Sequence, residues 1–138
     1  LHVTGDTFFG GNVREKVTIS ATASTGTINF DVVTQSVLYY TTNASGNFTI
    51  NVRGDGSTTL NSIMATGDAL TIAFLSTQGS SAYYMSAFTV DGSSVTPKYQ
   101  GGSAFSAGNA SGIDSYAITV IKTGDAAFTA LAAQTQFG

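Results

Sequence analysis

The side chains that could carry out acid–base chemistry in this sequence are almost all aspartates, since Asp accounts for seven of the eight acidic residues. Most of them adjoin a glycine or lie at the end of a predicted strand, and four are explained as residues of tight turns: Asp55, Asp68, Asp91 and Asp125. Asp31 and Asp114 lie nearer the middle of apolar segments. A glycosidase would need two such carboxylates to face a common cleft. The spacing of Asp31 and Asp114 does not predict that they meet.

The sequence contains few of the other residue types that catalyse reactions or bind metals. The chain has no cysteine and one histidine, His2. The missing cysteines exclude disulfides, thiolate metal sites and a cysteine nucleophile. A single histidine argues against a Ser-His-Asp triad or a multi-histidine metal site, and no loop carries the dense acidic ligands of a calcium site. We therefore expect no metal, no cofactor and no enzymatic activity.

Charge is scarce, with 9% charged residues, a net charge of -3 and a pI of about 4.6. The five basic residues are scattered rather than clustered: Arg14, Lys16, Arg53, Lys98 and Lys122. Nucleic-acid binding is thus not expected, because it requires a basic patch. No apolar segment reaches the 18 or so residues that span a bilayer, so membrane insertion is not expected either. An uncharged surface rich in Ser, Thr and Asn favours close assembly, since little charge must be desolvated.

Alternating apolar and polar side chains predict β-strands that have one face in water. The apolar positions are Val17, Ile19 and Ala21 in residues 16–23, and Phe48, Ile50 and Val52 in residues 47–53. β-branched and aromatic segments predict further strands at 28–33, 37–41, 70–76, 82–90 and 115–122. Residues 58–66 suit either one helical turn or a loop held by apolar side chains.

About eight or nine strands with long crossovers predict an all-β fold, an antiparallel β-sandwich with jelly-roll-like topology. A closed barrel is the alternative. Residues 1–15 carry isolated apolar side chains between Gly and Thr, and we expect them to form a short extended N-terminal arm on a sandwich domain of residues 16–138. Because the chain begins with Leu1 rather than Met, we expect it to be part of a longer protein.

Four aromatic residues are candidates for surface binding: Tyr40, Tyr84, Tyr99 and Phe105. Adjacent strand residues point to opposite faces, so each of the pairs 39–40 and 83–84 should place one tyrosine outside. Tyr99 and Phe105 flank the Gly-rich segment 101–112. An exposed aromatic ring can stack on a sugar or enter a protein contact, and it can equally be an ordinary cross-strand partner.

Several separated segments resemble, in order, a β-rich domain that recurs at the C-terminal end of fibre-like and other structural proteins of marine bacteriophages of the cyanophage type. They are INFDVVTQSVLYY at 28–40, NFTINVRG at 47–54, ALTIAFL at 69–75, SVTPKYQGG at 94–102 and the stretch from GIDSY at 112–116 to QTQFG at 134–138. The resemblance covers about residues 16–138 and brings no catalytic motif.

The resemblance implies a non-enzymatic virion structural protein, the globular domain of a tail or head fibre involved in assembly and host attachment. Its partners would be copies of itself in a homotrimer, other virion proteins and a glycan or protein receptor on the host surface. It would be located in the extracellular phage particle after assembly in the host cytoplasm. The alternatives are a capsid decoration (cement) protein and a polysaccharide-binding or polysaccharide-degrading spike module.

Residues 3–10, VTGDTFFG, are similar to a repeat common in fibre shafts, so residues 1–15 would end a shaft or form an assembly arm. One copy of such a unit cannot bury itself, and a trimeric neighbour would complete its core. Apolar groups in an extended arm need a partner. We therefore expect the intersubunit contacts to be made by Leu1, Val3, Phe8, Phe9 and Val13.

Overall fold

The computed structural model describes residues 2–138, which form ten strands and two short helical turns. The strands are β1 Val17–Ala23, β2 Gly26–Asp31, β3 Val37–Thr42, β4 Phe48–Arg53, β5 Ala69–Thr77, β6 Met85–Val90, β7 Ser93–Ser94, β8 Lys98–Tyr99, β9 Ile113–Gly124 and β10 Ala127–Phe137. The helical turns are α1, Leu60–Ile63, and a 3₁₀ turn at Gln100–Gly102. Strands make up 49% of the chain and helices 5%, so the predicted all-β class is confirmed.

The strands form two sheets that pack face to face. The six-stranded sheet has the order β1-β3-β5-β9-β10-β8, and the four-stranded sheet has the order β2-β4-β6-β7. Over the first six strands the chain alternates between the two sheets, so that β1, β3 and β5 enter the six-stranded sheet and β2, β4 and β6 enter the four-stranded sheet. The long β9–β10 hairpin then extends the six-stranded sheet on its other side.

The predicted sandwich is confirmed, whereas the strand directions differ from the antiparallel, jelly-roll-like arrangement. The neighbours β1, β3 and β5 run parallel, as do β2, β4 and β6. Antiparallel pairing occurs at β5–β9, β9–β10 and β6–β7. The reason is the connectivity: a chain that crosses to the opposite sheet after each strand returns to the first sheet in its original direction. Both sheets are therefore mixed.

One long strand, β10, was not predicted from the sequence. Its residues, AFTALAAQTQF, include several Ala and Gln, which have little intrinsic preference for strands. The strand forms because it pairs with β9 along its whole length, from Ala127 with Gly124 to Phe137 with Ile113. Non-local hydrogen bonding thus overrides the weak local preference.

The core lies between the sheets and is centred on three aromatic rings. Phe48, from the four-stranded sheet, packs edge-on against Phe74 and Tyr116, both from the six-stranded sheet, with ring centroids 5.5 Å apart in each case. All three side chains are almost completely buried. These separations lie in the range of favourable aromatic pairs. The three rings therefore join the two sheets.

The short helix α1 is held at both ends by charged side chains from other elements. The Asp91 carboxylate accepts hydrogen bonds from the backbone N–H groups of Leu60 and Asn61, at 2.6 and 2.9 Å. At the other end, the largely buried Lys122 ammonium donates to the carbonyls of Asn61 and Met64, at 2.6 and 2.7 Å. The ends of a helix leave such backbone groups without partners inside the helix. Asp91 and Lys122 provide those partners, and each charge also interacts favourably with the helix dipole.

The hydroxyl of Tyr116 provides a test of this packing. It accepts hydrogen bonds from the Met85 backbone N–H, at 3.2 Å, and from the Gln134 side-chain amide, at 3.0 Å. Tyr116→Phe keeps the ring but removes the acceptor of the buried Met85 N–H, while the Gln134 amide keeps its hydrogen bond to the Ala107 carbonyl at 2.9 Å. We therefore expect the free energy of unfolding to fall by about 1–3 kcal/mol. Chemical denaturation measures this difference. Tyr84→Phe, at a half-buried ring, is the control and should change stability by less than about 0.5 kcal/mol; equal losses in the two variants would contradict the bridging role of Tyr116.

Candidate interaction surface

The N-terminal arm, residues 2–15, contains no strand or helix, and every one of its residues is exposed. Its apolar side chains are accordingly in water: Phe8 is 92% exposed, Phe9 65%, Val13 64% and Val3 49%. Leu1, the fifth predicted interface residue, lies outside the described residues. Contiguous exposed apolar groups mark interaction sites on folded proteins. The arm therefore presents a set of apolar side chains that its own sandwich does not cover.

The first strand of the sandwich also exposes its apolar side. Val17 is 44% exposed and Ile19 67% exposed, although their alternation with Thr18 and Ser20 is the pattern of a strand with a buried apolar face. The partly buried positions are the polar ones, and the Thr18 hydroxyl donates to the Gln35 side chain at 2.8 Å. Sequence reasoning missed this surface because alternation distinguishes two faces without showing which one packs.

Of the four predicted surface aromatics, Tyr40 lies on the core. Its ring meets Phe74 edge-on at 5.3 Å, and burial raises the pKa of its hydroxyl. The pair 39–40 is divided between the two faces as expected, but Tyr39 is the outward member, because Tyr40 shares the inward side of β3 with the buried Leu38. The surface role predicted for Tyr40 is therefore corrected.

Tyr99 and Phe105 also pack against the core rather than standing free. Their rings are 5.0 Å apart and edge-on, and Phe105 in turn meets Tyr116 at 5.5 Å. Tyr99 still borders a groove of about 440 Å³, where it lies near Lys98 and Leu131. Tyr84 is half-buried, and its backbone N–H donates to the Asn47 side chain at 3.2 Å. The four aromatics thus do not form one binding platform.

The two carboxylates that a glycosidase would have to combine lie in different sheets and have different partners. Asp31, in β2, forms an ion pair with Arg53 at 2.6 Å. Asp114, in β9, is completely buried and accepts hydrogen bonds from the Gln78 side chain, at 2.9 Å, and from the Asn109 backbone, at 3.0 Å. Their hydrogen-bonding capacity is used to hold structural elements together.

A polar groove of about 340 Å³ lies beside the end of β4, bordered by Arg53, Asp55 and Asp91. Arg53 is paired with Asp31 and Asp91 holds the start of α1. The Asp55 carboxylate accepts a hydrogen bond from the Ser57 backbone at 2.7 Å. Over residues 2–138, every fully buried side-chain polar atom has a hydrogen-bond partner. The groove therefore offers no unpartnered buried group to a ligand.

Two further properties concern metals and membranes. Among residues 2–138, no three His, Asp or Glu side chains lie close enough to hold a metal ion together. None of the helices in the described part of the chain has the length and apolarity needed to cross a membrane.

Asp114 should give stability a measurable pH dependence. Burial raises the pKa of Asp114 in the folded protein above the ordinary value of 3.8, which applies to the unfolded chain. At pH values between the unfolded-state pKa and the folded-state pKa, the folded protein therefore binds more protons at this site than the unfolded chain does. This carboxylate therefore lowers the free energy of unfolding as the pH rises through that interval. We expect the free energy of unfolding of the native protein minus that of Asp114→Asn to decrease from about pH 4 upward and then level off. Urea unfolding at a series of pH values measures it.

Asp55→Asn is the control of opposite sign. The hydrogen bond from the Ser57 backbone is the main cause that lowers the pKa of the exposed Asp55. The free energy of unfolding of the native protein minus that of Asp55→Asn should therefore increase as the pH rises, and it should level off above the ordinary pKa of an aspartate. If both differences changed in the same direction, the role assigned to the burial of Asp114 would be refuted.

Comparison of the chain with protein-family models, with curated proteins and with solved structures finds no match in any of the three.

Proposed function

We propose that this chain is a non-enzymatic structural module of a bacteriophage virion, the globular domain of a tail or head fibre. It assembles as a homotrimer through its N-terminal arm and contributes to host attachment through the outer surface of the sandwich. The resemblance of residues 16–138 to the marine phage domain supports the assignment to a virion. The exposed apolar arm supports a role in assembly.

The observation that carries the proposal is the exposure of Phe8, Phe9, Val13 and Val3 on one short segment. Full burial of a side chain of this kind stabilises a structure by about 1.5–3 kcal/mol. On the isolated chain the arm gains little of this, because its residues are all exposed. Burial between chains of an oligomer supplies the missing partner and explains why the apolar groups are concentrated there.

The scarcity of charge supports the same role. With 9% charged residues and a net charge of -3, neighbouring copies repel one another weakly and few ions lose their water when surfaces meet. A virion places many copies of a structural protein at high local concentration. The chain's composition suits that setting.

The experiment is the mass of the purified protein in solution, by light scattering, for residues 1–138 and for residues 16–138. We expect the longer form at three times the 14.1 kDa chain mass and the shorter form at a single chain mass. The triple variant Phe8→Ser, Phe9→Ser and Val13→Ser should also be monomeric, because it keeps the length of the arm and removes its apolar groups. Thr4→Ser, Thr7→Ser and Asn12→Ser together are the matched control and should leave the trimer intact.

A single chain mass in every form would overturn self-trimerisation. It would favour the capsid decoration protein, whose arm becomes ordered only on a capsid surface.

A further inference from the structure

The outer faces of the two sheets differ in chemistry. On the four-stranded sheet the outward side chains are polar and bonded to each other: the Asn51 amide donates to Asn29 at 2.9 Å, and Asn51 accepts from Thr89 at 2.7 Å. The ion pair of Asp31 and Arg53 continues this array. Such a face is stable in water as it stands.

The outer face of the six-stranded sheet is uncharged and mainly apolar, with Thr and Ser as its polar side chains. The strand register aligns one outward residue from each of five adjacent strands: Val17, Val37, Ala73, Ala117 and Ala133. The next outward row begins with Ile19, Tyr39 and Leu75 and ends with Ser115 and Thr135. On the other side of the first row, Thr71 and Thr119 are hydrogen-bonded to each other at 2.9 Å beside Leu131. The outward positions of β1, β3, β5, β9 and β10 contain no Asp, Glu, Lys, Arg or His. A charged residue, Lys98, lies on the edge strand β8 opposite Leu131.

The structure assigns this face as the docking site for a second copy of the chain, whose N-terminal arm lies across it. The inference rests on the arm-mediated assembly proposed above and names the surface that receives the arm. We call this surface the apolar sheet face, meaning the outward side chains of β1, β3, β5, β9 and β10.

The size of the apolar sheet face suits this occupant. Its five strands, about 4.8 Å apart, span about 19 Å, and the nine residues of β5 span about 30 Å at about 3.4 Å each. The product, about 600 Å², lies at the lower end of the range of about 600–1,000 Å² that each partner buries in a stable interface. The 14 residues of the arm reach at most about 50 Å when extended, which is enough to cross the face of a neighbour.

Charge and position also favour a second copy. The chain has a net charge of only -3, so two copies repel one another weakly, and the uncharged apolar sheet face adds no contact between like charges. The arm joins the sandwich through Lys16 at β1, which forms one edge of the same sheet. Each copy therefore carries the apolar arm and the apolar sheet face next to each other, an arrangement that allows cyclic exchange of arms among three copies.

The test uses the full chain with two exposed residues of the face changed, Ile19→Thr and Leu131→Thr, which are 67% and 46% exposed. Threonine suits a strand and both sites face outward, so the fold should be retained. Val33→Thr and Ile63→Thr, at 56% and 45% exposure elsewhere on the surface, form the matched control. We expect the face variant to associate at least about tenfold more weakly than the native chain and the control to associate normally. Sedimentation over a concentration series measures the association, and circular dichroism verifies the fold.

A second measurement locates the arm directly. Phe8 is replaced by the photoreactive p-benzoylphenylalanine in a mixture of ¹⁴N- and ¹⁵N-labelled full-length chains, and the crosslinked peptides are identified by mass spectrometry. We expect mixed-isotope crosslinks to peptides that contain Ile19, Leu75 or Leu131. Crosslinks within one chain, or to the four-stranded sheet, would overturn the docking site.

The two proposals fail in different ways. If removal of residues 1–15 leaves the mass unchanged, arm-mediated assembly is wrong, and the docking of an arm on the face is wrong with it. If removal of the arm yields monomers while Ile19→Thr with Leu131→Thr associates as the native chain does, assembly stands and only the apolar sheet face is refuted.

Discussion

The contact of Phe48 with Phe74 and Tyr116 is the interaction on which the two-sheet structure depends. Phe48 is the first residue of β4 in one sheet, while the other two rings come from the opposite sheet. Tyr116 also meets Phe105 and binds the backbone of Met85 through its hydroxyl. One buried residue thus connects both sheets and a long loop. Because interiors are closely packed, such a residue constrains the position of every element that touches it.

The connectivity of the first six strands has a consequence for the surface. A chain that alternates between sheets builds each sheet from parallel neighbours, and each sheet has one face on the core and one in solvent. Parallel sheets are usually covered on both faces. The four-stranded sheet compensates with hydrogen-bonded polar side chains on its outer face, whereas the six-stranded sheet carries Val17, Ile19 and Leu75 there. The six-stranded sheet therefore leaves apolar side chains in solvent, and the assembly proposed above would cover them.

The charged groups of the molecule mostly perform structural tasks, which bears on its function. Lys122 and Asp91 hold the ends of α1, Asp31 pairs with Arg53, and Asp114 anchors the loop that precedes β9. Apolar groups, by contrast, remain exposed on the arm and on one sheet face. This distribution is the physical basis of the proposed structural role.

By itself the sequence determined the local features of this protein. Alternation located β4 with Phe48, Ile50 and Val52 inward, and the Asp91-Gly92 pair marked a two-residue turn that the structure forms with φ of 50° and 80°. Only the tertiary structure decided which strands pair, in which direction, and which side of β1 and of the Tyr39–Tyr40 pair faces the core. The alternation of apolar and polar residues is a local property of the sequence. It separates the two faces of a strand but does not show which face packs on the core. The choice between the faces, and the existence of the Ala-rich β10, depend on contacts with residues far away along the chain.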